Sequence, residues 1–330
     1  MVIFNPEHDL ALADGCGSFI PPASVVEFAR RCAWVERFMV GPQDAESLVE
    51  IVPWGWNRCL RERLLKEGVP SELLPADEQL NFIREHSRRE LAVELQERLH
   101  EGLCAGDPGN MIAHSYRIVA RKMEEIEAFL QEKGRVVLKA PLSGSGKGIR
   151  FVTGEMMETD RGWCKRILQR QGAVIVEQRM VIVKEFAMLF ECREKVTFRG
   201  YSLFYAANGA YKGNLLASNE YIEKVLAEFV SVEELRQVQE QIREFLQQKL
   251  QGRYRGFIGV DQFVAEAAGG GTLNEKLSGR KFCWNPAMEI NLRMTMGLVA
   301  RNIYDYHAAE YGLGEGTHCF EPERGIFKCG

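Results

Sequence analysis

The chain has 330 residues, 46% of them hydrophobic and 27% charged, with a net charge of −4. At roughly 100–200 residues per domain, this length makes two or three domains with a sizeable apolar core. The slight acidic excess argues against a nucleic-acid partner, which draws on clustered Lys and Arg, and no apolar run approaches the roughly 20 residues of a membrane span.

Residues 2–4 form a short apolar run that reads as a first strand, broken by Asn5, Pro6, Glu7, His8 and Asp9. No basic then apolar leader precedes it, so a cytoplasmic protein is expected. A helix is expected over Val25 to Arg31 and a strand over Trp34 to Val40. The stretch from Pro53 to Gly102, rich in Glu, Arg and Leu, reads as helices. Gly106, Asp107, Pro108 and Gly109 mark a boundary. A helix over Ser115 to Glu132 follows, with Ile118, Met123, Ile126 and Phe129 as its stripe and Gly134 as its stop. Then come a strand, Arg135 to Lys139, a glycine-rich turn from Ser143 to Gly148, and a second strand, Ile149 to Thr153. Met156 to Arg170 reads as a helix and Ala173 to Glu177 as a strand. Phe186 to Phe190 and Phe198 to Ala206 have the look of an antiparallel sheet. Glu233 to Leu250 is an amphipathic helix with Leu235, Val238, Ile242, Phe245 and Leu246 on one face. Phe257 to Val264 and Ala287 to Leu292 are strands joined through Gly269, Gly270 and Gly271. A last helix covers Leu298 to Glu310, and residues beyond Gly312 read as a tail. The nine cysteines are odd in number and form no C-x-x-C pair, so reduced thiols are expected.

Three segments carry candidate chemistry. Lys139 stands at a strand end before Ser143, Gly144, Ser145, Gly146, Lys147 and Gly148. Such glycines let backbone N–H groups approach an anion, and the Lys supplies a point charge for phosphate. It is not a Walker loop: Lys147 precedes Gly148, and Pro141 stands where that motif has its first Gly. Glu177 and Gln178 end a strand, and Glu185 follows. A strand running into an acidic segment can offer its backbone to an adenine edge and a carboxylate to ribose. Finally, Asp261 lies in one apolar strand, and Glu289, Asn291 and Arg293 share one face of another. Oxygen ligands and a guanidinium on one strand face are costly to bury unless paired or bound to an ion. Mg²⁺ commonly uses one or two carboxylates plus substrate phosphates.

The order of Lys139, glycine-rich turn, Glu177, Asp261 and Glu289-x-Asn291-x-Arg293 resembles the ATP-grasp superfamily over about residues 107–305. The resemblance implies two α+β lobes clasping ATP, preceded by a small α/β domain. The divisions are 1–106, 107–195 and 196–330. It implies that Lys139 and residues 143–148 meet the phosphates, Glu177 and Gln178 the adenine, and Glu185 the ribose. Asp261, Glu289 and Asn291 would hold Mg²⁺, with Mn²⁺ as the alternative, and Arg293 and Lys139 would act in catalysis. A further cation from the preceding helix is expected, Arg117 first and Lys122 second. The implied reaction is an ADP-forming ligase: a small-molecule or peptide carboxylate is activated as an acyl-phosphate for an amine acceptor. The alternatives are a kinase-like transferase or a non-catalytic ATP-binding module. His8 and Asp9, in a loop after a strand, are candidates for acceptor binding. Arg199, Tyr201 and Lys212 are candidates for facing substrate.

Overall fold

A computed structural model describes residues 1–42, 50–104, 116–144, 148–207, 210–266 and 281–329. It is of the mixed helix and strand class expected, built on two antiparallel sheets and a short parallel pair. Gly106 to Gly109, Ser145, Gly146 and Lys147, and Gly269 to Gly271 lie outside the described residues.

The first part contains β1 (Val2–Ile3), α1 (His8–Asp14), α2 (Ala23–Arg31), β2 (Val52–Pro53), α3 (Arg58–Lys66), α4 (Asp77–His86) and α5 (Glu90–Cys104). β1 and β2 pair in parallel. Where a strand was expected at 34–40, Ala33–Phe38 forms a 3-10 helix. Its tighter turn brings Val35 and Phe38 to the same side, both buried.

The second part holds β3 (Arg117–Ala120), α6 (Met123–Lys133), β4 (Arg135–Lys139), β5 (Ile149–Thr153), α7 (Glu158–Gln171) and β6 (Val174–Gln178). The strands form a four-stranded sheet in the order β3-β6-β4-β5, covered by Ile126, Leu130 and Trp163 of the helices. The helix expected from Ser115 starts only at Met123. Ile118 and Val119, read as helical, are β-branched residues that pair with Val176 and Ile175 of β6. The switch to helix is set by Glu125, whose carboxylate accepts the N–H groups of Arg121 at 2.6 Å and Lys122 at 3.3 Å.

The third part holds β7 (Ile182–Cys192), β8 (Val196–Ala207), β9 (Ala210–Leu216), α8 (Asn219–Leu226), α9 (Val232–Leu250), β10 (Gly256–Glu266), β11 (Phe282–Asn291), α10 (Met296–Tyr311), β12 (His318–Glu321) and β13 (Gly325–Lys328). The sheet order is β11-β10-β7-β8-β9-β12-β13. Alternation along β7 assigns its two faces: Met188 and Phe190 join one core with the α9 stripe Leu235, Val238, Ile242 and Phe245. Ala187 and Leu189 join another with Leu298 and Ile303 of α10 and Phe4 and Trp54 of the first part. Residues beyond Gly312 are not a tail. β12 pairs with β9 through Cys319 and Leu215, and Phe320 is fully buried. Nor are all the thiols reduced: Cys319 and Cys329 form a disulfide across the last hairpin, with Cα atoms 5.5 Å apart. This pair is ten residues apart, a spacing that C-x-x-C arithmetic does not test.

Helix α5 packs on both β3 and β11, and so bridges the two sheets. This is the pair of α+β units that the ATP-grasp resemblance implies. Among the described residues no helix is long and apolar enough to cross a membrane.

Candidate functional site

The central strand of the smaller sheet, β6, ends in a buried carboxylate. Glu177 is 4% exposed and lies between strands that each bring a cation to it. Lys139 Nζ of β4 is 2.6 Å from Glu177 Oε2, and Arg117 Nη1 of β3 is 3.7 Å from Oε1. Arg117 also donates to the carbonyl of Ala92 in α5. Three buried atoms here have no hydrogen-bond partner: Arg117 Nε, Glu177 Oε1 and Gln178 Oε1. A buried polar atom left unmet costs about 1–3 kcal/mol; Arg117 and Glu177 share one face of the sheet, whereas Gln178 stands on the other. Beside them, Tyr116, which precedes β3, clusters with Phe263, Cys283 and Met288 of the larger sheet and with Met180 between β6 and β7.

The glycine-rich turn leaves β4 directly. Ala140 N bonds to Gly148 O at 2.8 Å and closes its base. A Cβ on Gly148 would lie 2.2 Å from Ser143 Cβ, so only glycine fits there.

The second constellation is on the larger sheet. Asp261 of β10 and Glu289 of β11 are directly opposite in register. Asn291 Nδ2 donates to Asp261 Oδ2 at 3.0 Å. Burial and the neighbouring Glu289 push the Asp261 carboxyl up to about 7; Arg293 and the Asn291 hydrogen bond pull the other way, and Glu185 adds to the rise. Glu185, on β7, is itself raised by burial, with Lys139 opposing. It therefore stands electrostatically between the two constellations.

Arg293 lies just past the end of β11 and points at the first part of the chain. Its Nε and Nη2 each donate to one oxygen of Asp9 at 2.8 Å, a two-pronged pair. Burial alone would raise Asp9, but Arg293, with His8 and Arg89, holds its carboxyl below the ordinary range. His8 is 1% exposed, its Nδ1 3.2 Å from Asn57 Nδ2. Burial pulls its imidazole down to about 4, against the attraction of Asp9.

Sequence reasoning missed Arg89. It stands at the start of α5 with 6% exposure. Its Nη2 is 2.9 Å from Glu289 Oε1, while Nη1 donates to Ala140 O at 2.6 Å and Ser143 Oγ at 2.9 Å. Its Nε is a further buried donor without a partner. One guanidinium thus joins the base of the glycine-rich turn to the larger sheet. The only signal was the Arg88-Arg89 pair opening a periodic helix. His8, Asp9, Ser143, Glu289, Asn291 and Arg293 line one small hollow.

Other expectations are redistributed. Arg117 reaches Glu177 but from a strand, not a helix. Lys122 is exposed at the start of α6. Arg199 pairs with Glu191 at 3.0 Å, and Tyr201 is buried in the core with its hydroxyl on Gln239. Lys212 is exposed on β9. None of these last three lines the hollow, because alternation turns Tyr201 to the α9 face and β8 and β9 lie on the far side of β7. Among the described residues no group of three or more His, Cys, Asp or Glu gathers to hold a metal. The Asp261, Glu289 and Asn291 set is two carboxylates and an amide.

No protein-family profile and no curated protein matches the chain. Solved structures do. An N5-carboxyaminoimidazole synthetase from Staphylococcus aureus complexed with ADP is similar over 88% of this chain and 63% of its own, at 15% identity and a TM-score of 0.44. A biotin carboxylase from Campylobacter jejuni is similar over 86% of this chain and 58% of its own, at 12% identity and a TM-score of 0.48. A D-alanyl-alanine synthetase A from Vibrio cholerae is similar over 78% and 72%, at 15% identity and a TM-score of 0.46. The chain thus spans less than two thirds of the length of the first two. No residue role assigned in this chain rests on these likenesses.

Proposed function

We propose that this chain is a Mg-ATP-dependent ligase that activates a carboxylate as an acyl-phosphate for an amine and releases ADP and phosphate. One observation carries the reading: Asp261 and Glu289 face each other in register while Arg89 ties Glu289 to the glycine-rich turn. In this reading Glu289 and Asn291, as metal ligands, share one small hollow with Ser143 of the phosphate-cradling turn.

In this reading ATP lies between the sheets. The apolar cluster of Tyr116, Phe263, Met180 and Met288 takes the adenine, and the backbone near Gln178 meets its edge. Glu185 takes the ribose. Lys139 and the turn beginning at Ser143 and Gly144 take the phosphates, and Arg89 joins them as the cation from the preceding helix. Asp261, Glu289 and Asn291 hold Mg²⁺, or Mn²⁺. The donor set fits: both carboxylates are hard oxygen ligands, and the raised Asp261 carboxyl marks a place short of positive charge. Asn291 turns its N–H group to Asp261, which leaves its oxygen as the ligating atom. The metal, when bound, neutralises charge on the transferred phosphoryl group. Arg293, braced by Asp9, is poised for an oxyanion. The division into 1–106, 107–195 and 196–330 and a cytoplasmic location belong to the same reading.

The test is thermal stability with ATP, with and without Mg²⁺, for the wild type and for the double variant Glu289→Ala, Asn291→Ala. A ligand at about 100 times its Kd adds roughly 2.7 kcal/mol to the native state. A Mg-dependent rise lost in the variant is expected. A wild type indifferent to millimolar Mg-ATP defeats the reading.

A further inference from the structure

The main-chain groups just beyond β4 have no strand to pair with. The β4–β5 ladder closes with the bond from Ala140 N to Gly148 O, and Pro141 has no N–H to give. A short stem, Ala140 to Ser143, therefore leads from Lys139 into the glycine-rich turn with polar groups that must be met from elsewhere. Leu142 is 5% exposed and packs in one core with Leu12 and Phe82, so water does not meet them.

The partners come from two helix ends. At the start of α5, Arg89 N donates to Pro141 O at 3.0 Å, while Arg89 Nη1 takes Ala140 O and Ser143 Oγ. At the end of α7, Gln171 meets Leu142 with both halves of its side-chain amide. Its Oε1 accepts from Leu142 N at 2.8 Å, and its Nε2 donates to Leu142 O at 3.0 Å. The Gln171 amide thus does for Leu142 what a residue on a neighbouring strand would do.

Gln171 is itself fixed. It is the last residue of α7, and Gly172, at φ 78°, ends the helix just before β6. Its carbonyl accepts from Arg88 Nη2 at 2.7 Å, and Arg88 is held by Glu90 at 2.6 Å. The consecutive residues Arg88 and Arg89 tie the end of α7 and the stem to one point. Past the stem there is little slack, since a Cβ on Gly144 would lie 3.0 Å from Leu10. One side chain thereby registers the turn against the strand that carries Glu177 and Gln178. Gln171 does not line the hollow.

We propose that Gln171 is a positioning residue: its amide holds the glycine-rich turn where the turn meets the phosphates, and so favours a triphosphate without touching the nucleotide. The inference rests on the ligase reading above. A turn already held in its bound position loses less freedom when phosphate arrives, and a displacement of about 1 Å from a remote change can cost about 100-fold.

The test compares Gln171→Ala and Gln171→Glu with the wild type in the full chain. Glu keeps the size and the acceptor but has no N–H for Leu142 O. Affinity for Mg-ATP, and for adenosine by competition, is measured by calorimetry below the melting point of each protein. Both variants should bind Mg-ATP about tenfold more weakly and adenosine as the wild type does. Amide exchange gives a readout free of nucleotide. The Leu142 N–H should exchange about tenfold faster in Gln171→Ala, with Ile175 and Val176 of β6 unchanged. Equal weakening toward Mg-ATP and adenosine, or faster exchange through β6 as well, marks a merely structural residue and overturns the proposal. So does a Gln171→Glu protein that binds Mg-ATP as tightly as the wild type. A wild type that binds no Mg-ATP at millimolar levels defeats the ligase reading, and the positioning role falls with it.

Discussion

The two sheets treat their buried charges in opposite ways. On the smaller sheet Glu177 has a cation on each side, Lys139 and Arg117, and the cluster is closed on itself. On the larger sheet Asp261 and Glu289 face each other with one hydrogen bond from Asn291 to the first and one ion pair from Arg89 to the second. The first arrangement holds its strands together and carries surplus positive charge toward an anion. The second stores repulsion that an added cation, or a proton on Asp261, relieves. A closed cluster should therefore be expensive to break and an open one inexpensive, or even favourable, to blunt.

The contrast can be broken at its strongest point by Glu177→Ala. That change leaves two buried cations without a counter-charge and should cost about 3–5 kcal/mol in chemical denaturation. A loss below about 1 kcal/mol would show that the cluster is not closed as described. Next in size is His8, at the margin of the open site. Its folded pKa of about 4 lies below the ordinary 6.5. Between those values the unfolded chain binds a proton that the folded one refuses, so stability falls as pH falls through the window. The loss should reach about 2 kcal/mol at pH 5 and about 3 kcal/mol at pH 4. In His8→Gln this part of the pH dependence should vanish, which a pair of denaturation series at pH 7 and 5 would read.

Blunting the open cluster should go the other way. The Asp261 carboxyl is raised in the folded state, so above its unfolded pKa the charge costs stability, most of all once pH passes about 7. Asp261→Asn should stabilise the metal-free protein at pH 8 by about 1–2 kcal/mol and abolish any further gain from Mg²⁺. A destabilised Asp261→Asn would mean that the face is not short of positive charge. As the smallest effect, Arg243→Ala, which removes an exposed pair with Glu240 on α9, should change stability by no more than about 0.5 kcal/mol.

The same contrast separates what the sequence reveals from what it conceals. The α9 stripe was readable because helical period alone gathers Leu235, Val238 and Ile242 on one face. Glu289 and Asn291 were readable as a pair because strand alternation needs only adjacent residues. Arg117 was placed in a helix because Ile118 fits a helical stripe as well as a strand, and only the pairing with β6 decides. Arg89 and Asp9 act through residues far along the chain; Asp9 meets Arg293 across 284 positions, which no local pattern can signal. β12 and β13 were missed for a similar reason: four-residue strands carry little periodicity, and β12 is fixed by its pairing with β9.

The placement of Phe4 and Trp54 has a consequence for synthesis. Their buried neighbours include Leu298, Ile303 and Phe320, from the far end of the chain. As the polypeptide leaves the ribosome, its first segment therefore emerges well before the surfaces that will cover it. The smaller sheet, by contrast, is complete by Gln178. It can form while the opening segment still waits, exposed, for the closing strands. Such late, long-range burial slows folding and prolongs exposure of apolar surface. Phe4 and Trp54 stay uncovered until Leu298, Ile303 and Phe320 have been made.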